Sequence, residues 1–146
     1  LVTRDDDADG LVERIPAGID ADTIAAVGKV SEALEFVERA RGHLYSFHQL
    51  MGHADLTLGE ACAQLRAAGH PATAERLETD MVGRNVLHGR WTFQVVEEFD
   101  DGYWARFRDH ERRVRDELQS GVRHVYEAKM KEGRRTEGRS GHEAQP

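Results

Sequence analysis

A chain of 146 residues that is 39% hydrophobic and 32% charged, with a formal net charge of -7, suits one soluble domain. Charged residues interrupt every apolar run, so no stretch reaches the roughly 18 to 20 apolar residues of a membrane helix, and the excess of Asp and Glu over Lys and Arg, 27 against 20, opposes a nucleic-acid partner. A single cysteine, Cys62, leaves no partner for an intrachain disulfide or a multi-thiolate metal site; with no secretory pattern at the N-terminus, the expected compartment is the reducing cytoplasm.

In chain order, residues 1–20 carry Asp5, Asp6, Asp7, Asp9 and Asp20 with Gly10, Pro16 and Gly18, and read as an acidic disordered arm. Val27, Val30, Leu34, Val37, Arg41, Leu44, His48 and Met51 then fall at alternating steps of three and four, one face of a helix. Asp20 or Asp22 supplies its cap and Gly52 its stop. Thr57 with Glu60 has the spacing of a capping box, and Leu58, Ala61, Cys62, Leu65 and Ala68 give a short second helix ending at Gly69. Pro71 opens a third helix, whose inner face is taken as Leu77, Met81, His88, Trp91, Val95 and Phe99, beside a stripe of Val82, Val86, Phe93 and Val96. Phe107, His110, Val114, Leu118, Val122 and Val125 carry a fourth helix, and residues 133–146 are a flexible polar tail.

The expected fold is all-α, an antiparallel four-helix bundle over 21–132 with helices at 22–51, 56–69, 71–99 and 102–132 and disordered tails. The alternative is a helical fold with a β-hairpin near 94–107, because Asp100-Asp101-Gly102 also suits a hairpin loop. The short second helix leaves apolar surface on its neighbours, which a homodimer covers.

Arg41, His48, His88 and His110 are polar residues on otherwise apolar faces. A turn at 100–101 brings His88 and His110 to one level, near Trp91, Phe93, Phe99, Tyr103, Trp104 and Phe107. The candidate ligand-binding set is therefore Arg41, His48, His88, Trp91, Phe99, Tyr103, Trp104 and His110. His48, His88 and His110 are the candidate ligands if one transition metal is bound; otherwise no cofactor is expected. Di-iron chemistry needs Glu three residues before His, and none of the eight histidines has it. His110-Glu111 is not followed by the second histidine of a zinc-protease helix, and the serines sit in no nucleophile turn. Cys62 reads as a small buried hydrophobe, Arg41 as the cation of an ion pair with Glu38, Glu111 or another carboxylate, and His43 and His53 as surface residues. The functional expectation is a non-enzymatic homodimeric interaction or scaffold module; the alternative is a small-ligand or metal-binding bundle, with enzymatic activity as its extension.

Overall fold

The structure is a computed structural model that describes residues 16–146. The acidic arm expected over 1–20 lies, up to residue 15, outside the described residues. The described chain is mostly helical: α1 (Ala21–Ala67), α2 (Pro71–Asp80), α3 (Thr92–Phe99), a π-helical segment (Asp100–Trp104), α4 (Ala105–Gln119) and α5 (Val125–Arg134). Among the described residues there is no strand beyond an isolated bridge between Leu87 and Arg90, and the hairpin alternative at 94–107 is replaced by helix.

Two expected boundaries inside the helices are not observed. The first and second helices are one: α1 runs for 47 residues straight through Gly52. Its inner face explains why. Writing the repeat as heptads with Val27 at a and Val30 at d, the a positions are Val27, Leu34, Arg41, His48, Asp55 and Cys62, and the d positions are Val30, Val37, Leu44, Met51, Leu58 and Leu65. Every one of these is buried or half-buried. The two stripes read separately from the sequence are thus one stripe joined at Asp55, and burial of that continuous face outweighs the roughly 1 kcal/mol preference of a mid-helix glycine for leaving. Asp20 caps α1, its Oδ1 accepting the Thr23 N–H at 2.7 Å. The helix stops where Gly69 adopts a φ of 88°, with His70 N–H bonded to Leu65 O and Gly69 N–H to Arg66 O, the paired bonds of a Schellman motif.

The second boundary lost is the turn at 100–101. The segment Asp100–Trp104 carries α3 into α4 as continuous helix. The expected third helix breaks instead at 81–91, where Gly83 and Gly89 have φ of 74° and 75°, so His88 stands in a tight turn and Trp91 caps α3 rather than lying on a helix face. Gln94 Oε1 accepts the Trp91 N–H at 2.9 Å and fixes that start. The fourth helix also breaks, at 120–124, where Ser120, Gly121 and His124 all have positive φ.

The chain divides into two compact units. The first holds 16–36 and 106–146. Ile24 and Val27 of α1 and Val125 and Ala128 of α5 are buried there, and Gly28 lies against the Tyr126 ring. Glu111, expected as one of the carboxylates available to Arg41, is instead buried with Ser31 Oγ donating to its Oε1 at 3.0 Å and Arg115 Nε at 2.7 Å. The inner face of α4 is accordingly rotated from the expected one: Glu111 and Gln119 are buried while His110 and Leu118 are exposed. Over the expected tail, α5 continues to Arg134 and Ala144 packs against Ala128. The second unit is Val37–Ala105. Its fully buried residues are Cys62 and Ala74, with Val96 nearly so.

Two glycines of α1 test the continuous helix from opposite sides. A Cβ at Gly52 meets nothing within 4 Å, so Gly52→Ala is expected to raise unfolding stability by about 0.5 to 1 kcal/mol; a left-handed stop at this position would make the same change destabilising. A Cβ at Gly28 would stand 2.9 Å from Tyr126 Cβ and Cγ, and Gly28→Ala is expected to lower stability by about 1 to 2 kcal/mol despite its better helix propensity. Urea unfolding followed by circular dichroism reads both.

Candidate functional site

In the second unit the polar a positions of α1 each find one partner in the segment 83–100. Asp55 Oδ1 accepts the Gly83 N–H at 2.7 Å, His48 Nδ1 lies 2.7 Å from Thr92 Oγ1, and Arg41 pairs with Asp100. The partners follow in reverse chain order, 83, 92 and 100 against 55, 48 and 41. Steps of seven along α1 bring its polar residues to one side at intervals of two turns, about 10.5 Å. The returning chain supplies one complementary group at each interval.

The densest of these contacts surrounds Arg41. Its Nε donates to Asp100 Oδ1 at 2.7 Å and its Nη2 to Asp100 Oδ2 at 3.1 Å, a two-pronged pair in which both side chains are largely shielded. The guanidinium carbon lies 3.9 Å from the centroid of the Trp104 ring and 4.9 Å from that of Tyr45. Tyr45 O–H donates to Asp100 Oδ2 at 3.2 Å, and Trp104 Nε1–H donates to Glu38 Oε1 at 2.8 Å. Arg41 therefore pairs with a carboxylate as expected, but with Asp100; Glu38 takes the indole instead. Glu38 and Tyr45 stand at heptad position e, one turn on either side of Arg41, and Asp100 and Trp104 are the first and last residues of the π-helical segment, a geometry enriched at functional sites.

The electrostatics make this cluster a clamp. Hydrogen bonds from Arg41 hold the Asp100 carboxyl below the usual aspartate range, against the opposing effect of its partial burial, and the Asp100 bond likewise raises the Arg41 guanidinium. Both groups are charged throughout the physiological range and each occupies the other. The cluster positions the 100–104 segment on α1.

The remaining candidates do not gather around it. Phe99 and Tyr103 stack on each other at 6.1 Å, and Trp91 lies 5.1 Å from Phe93, but Trp91 and Tyr103 are 60% and 59% exposed and enclose no pocket wall. His88 and His110 are exposed, one in the 87–90 turn and one on α4, and the turn that was to bring them to one level is helix. Among the described residues no group of three or more His, Cys, Asp or Glu is arranged to hold a metal ion. A shallow cavity of about 800 Å³ is lined by residues between Ala72 and Met81, none of them a candidate. Cys62 is fully buried, and His43 and His53 are exposed, as the sequence predicts. Asp100 was missed as a site residue because its acidic neighbourhood reads as a loop; Tyr45, four residues after Arg41, carried the one available signal.

Because the Asp100 carboxyl is lowered in the folded chain, its contribution to stability is fully present above the ordinary aspartate value of about 3.9 and is lost as pH falls through the lower folded value. The urea midpoint of Asp100→Asn is expected below that of the parent by a constant margin from about pH 5 to 8, a margin that narrows as the pH drops below about 4. A margin independent of pH down to acid unfolding would remove the ion pair from this account. No family model, curated protein or solved structure matches this chain.

Proposed function

We propose that this chain is a non-enzymatic interaction module that works as a homodimer. The observation that carries the reading is an inversion of the usual burial order. The largest fully buried side chains are Val27, Val125 and Cys62, while Leu50, Trp91 and Tyr103 are 63%, 60% and 59% exposed. Large apolar side chains gain most from leaving water, at roughly 25 cal/mol per Å². A chain that buries valines and leaves leucine and tryptophan wet has apolar surface for a partner.

The polar chemistry agrees with this reading. Arg41, His48 and Asp55 spend their hydrogen bonds on Asp100, Thr92 and Gly83, and a group engaged in this way is poorly placed to act on a substrate. The reverse order of those partners supports the antiparallel arrangement expected of a bundle, with a second copy supplying further helices.

Multi-angle light scattering coupled to size exclusion tests the proposal. The expected mass is twice the 16.5 kDa of one chain, falling toward one chain only on dilution. A mass of one chain that does not change with concentration would overturn it.

A further inference from the structure

We propose that residues 136–146 form a strap that neutral His142 latches against the end of α5 and that protonation of His142 releases. The strap is built from two consecutive turns. Arg139 N–H bonds to Thr136 O at 3.2 Å and His142 N–H to Arg139 O at 3.0 Å. The third residue of each turn, Gly138 and Gly141, has a φ of 77° and 82°, as that position of a type II turn requires. The turns fold the chain back so that Ala144 packs, buried, against Ala128 of α5. His142 closes the loop. Thr136 N–H, the first backbone donor past the Arg135 cap of α5, donates to His142 Nδ1 at 3.1 Å.

A backbone N–H can only donate, so Nδ1 is the bare, accepting nitrogen and the ring proton sits on Nε2. The imidazolium carries a proton on both nitrogens and would set a donor against a donor. His48 differs in this respect: its Nδ1 faces the Thr92 hydroxyl, which donates or accepts, so that bond survives either state of the ring. The charged groups of the strap and of the α5 end do not replace the latch. Glu132 and Arg135 pair with each other. Backbone N–H groups of Glu143 itself and of Gly141 hold the Glu143 carboxyl below the usual glutamate range, so it is already charged when His142 is neutral. Its attraction for a protonated His142 acts between chain neighbours and persists when the strap lifts; it favours the imidazolium without holding the strap down. On α5, Lys131 attracts Glu143, and both Lys131 and Arg134 oppose a further cation on the strap. Glu137 and Arg139 belong to the strap and move with it. Protonation therefore removes the hydrogen bond by which His142 ties the strap to the end of α5, and with it the cover of Ala144 over Ala128.

Nuclear magnetic resonance relaxation on the full chain tests the latch, with backbone order parameters read over 137–144 at about pH 8 and about pH 5, on either side of the ordinary histidine value of about 6.5. The parental strap is expected to be rigid at the higher pH, with order parameters of about 0.85, and to fall below about 0.6 at the lower, the change following the titration of the His142 ring. His142→Asn offers a carbonyl oxygen in place of Nδ1 and does not titrate; it is expected to stay ordered at both values. His142→Ala lacks the acceptor and is expected to be mobile at both. Helicity by circular dichroism is expected to be the same throughout. A parental strap equally ordered at both values, or already mobile at about pH 8, would overturn the latch. So would an acid response in His142→Asn equal to that of the parent, or a His142→Ala strap as rigid as the parental one at about pH 8. Loss of helicity over the same range would put general acid unfolding in place of a local release and would overturn it as well.

Discussion

The structure depends on a single uninterrupted heptad stripe along α1. Twelve consecutive a and d positions from Val27 to Leu65 are shielded from water, and only a continuous helix keeps them on one side. The break at Gly52 would rotate the two halves of the stripe apart and expose one of them. A mid-helix glycine costs about 1 kcal/mol, whereas a half-buried Leu or Met recovers more than that on its own. The helix therefore runs through.

Three of the a positions are polar, and their role is register rather than bulk stability. Arg41, His48 and Asp55 meet Asp100, Thr92 and Gly83 in reverse order. If the returning chain slipped by one heptad, Arg41 would face Thr92 and the half-buried Asp100 would lose its cation. An apolar stripe of Val, Leu and Met tolerates such a slip, because one aliphatic contact resembles the next. A charge left without its partner does not, since removing one member of a shielded pair costs far more than the pair contributes. The π-helical turn at 100–104 fits the same demand: it sets both Asp100 and Trp104 on the α1 side, where Arg41 lies between the carboxylate and the indole.

Much of this was legible in the sequence. The α1 stripe from Val27 to Met51, the Asp20 cap, the Gly69 stop, Pro71 at the head of α2, buried Cys62 and the helical class follow from periodicity and capping chemistry. The errors share one cause: residue type was read as location. Gly52 was read as an end, and Asp55 as a linker residue, although Asp55 is the step that joins Met51 to Leu58 at heptad spacing. Asp100-Asp101-Gly102 was read as a turn because acids and glycine favour turns; Arg41, 59 residues away, holds that stretch in helix. Glu111 stands in the sequence as a carboxylate for Arg41, but Ser31 and Arg115 hold it instead. Each involves a polar group whose partner is distant in sequence or supplied by another element, and periodicity carries no information about such partners.

The same accounting separates chemistry from surface. On the a and e side of α1, the charged and hydrogen-bonding groups are engaged with one another; on the c and g side, Phe47 and Leu50 face water beside alanines. An active site needs polar groups held in place with valences left for a substrate, and Arg41 with Asp100 has the first property without the second. The long helix thus sorts its residues by task. One side spends its polarity on folding, and the other carries Phe47 and Leu50 exposed to water.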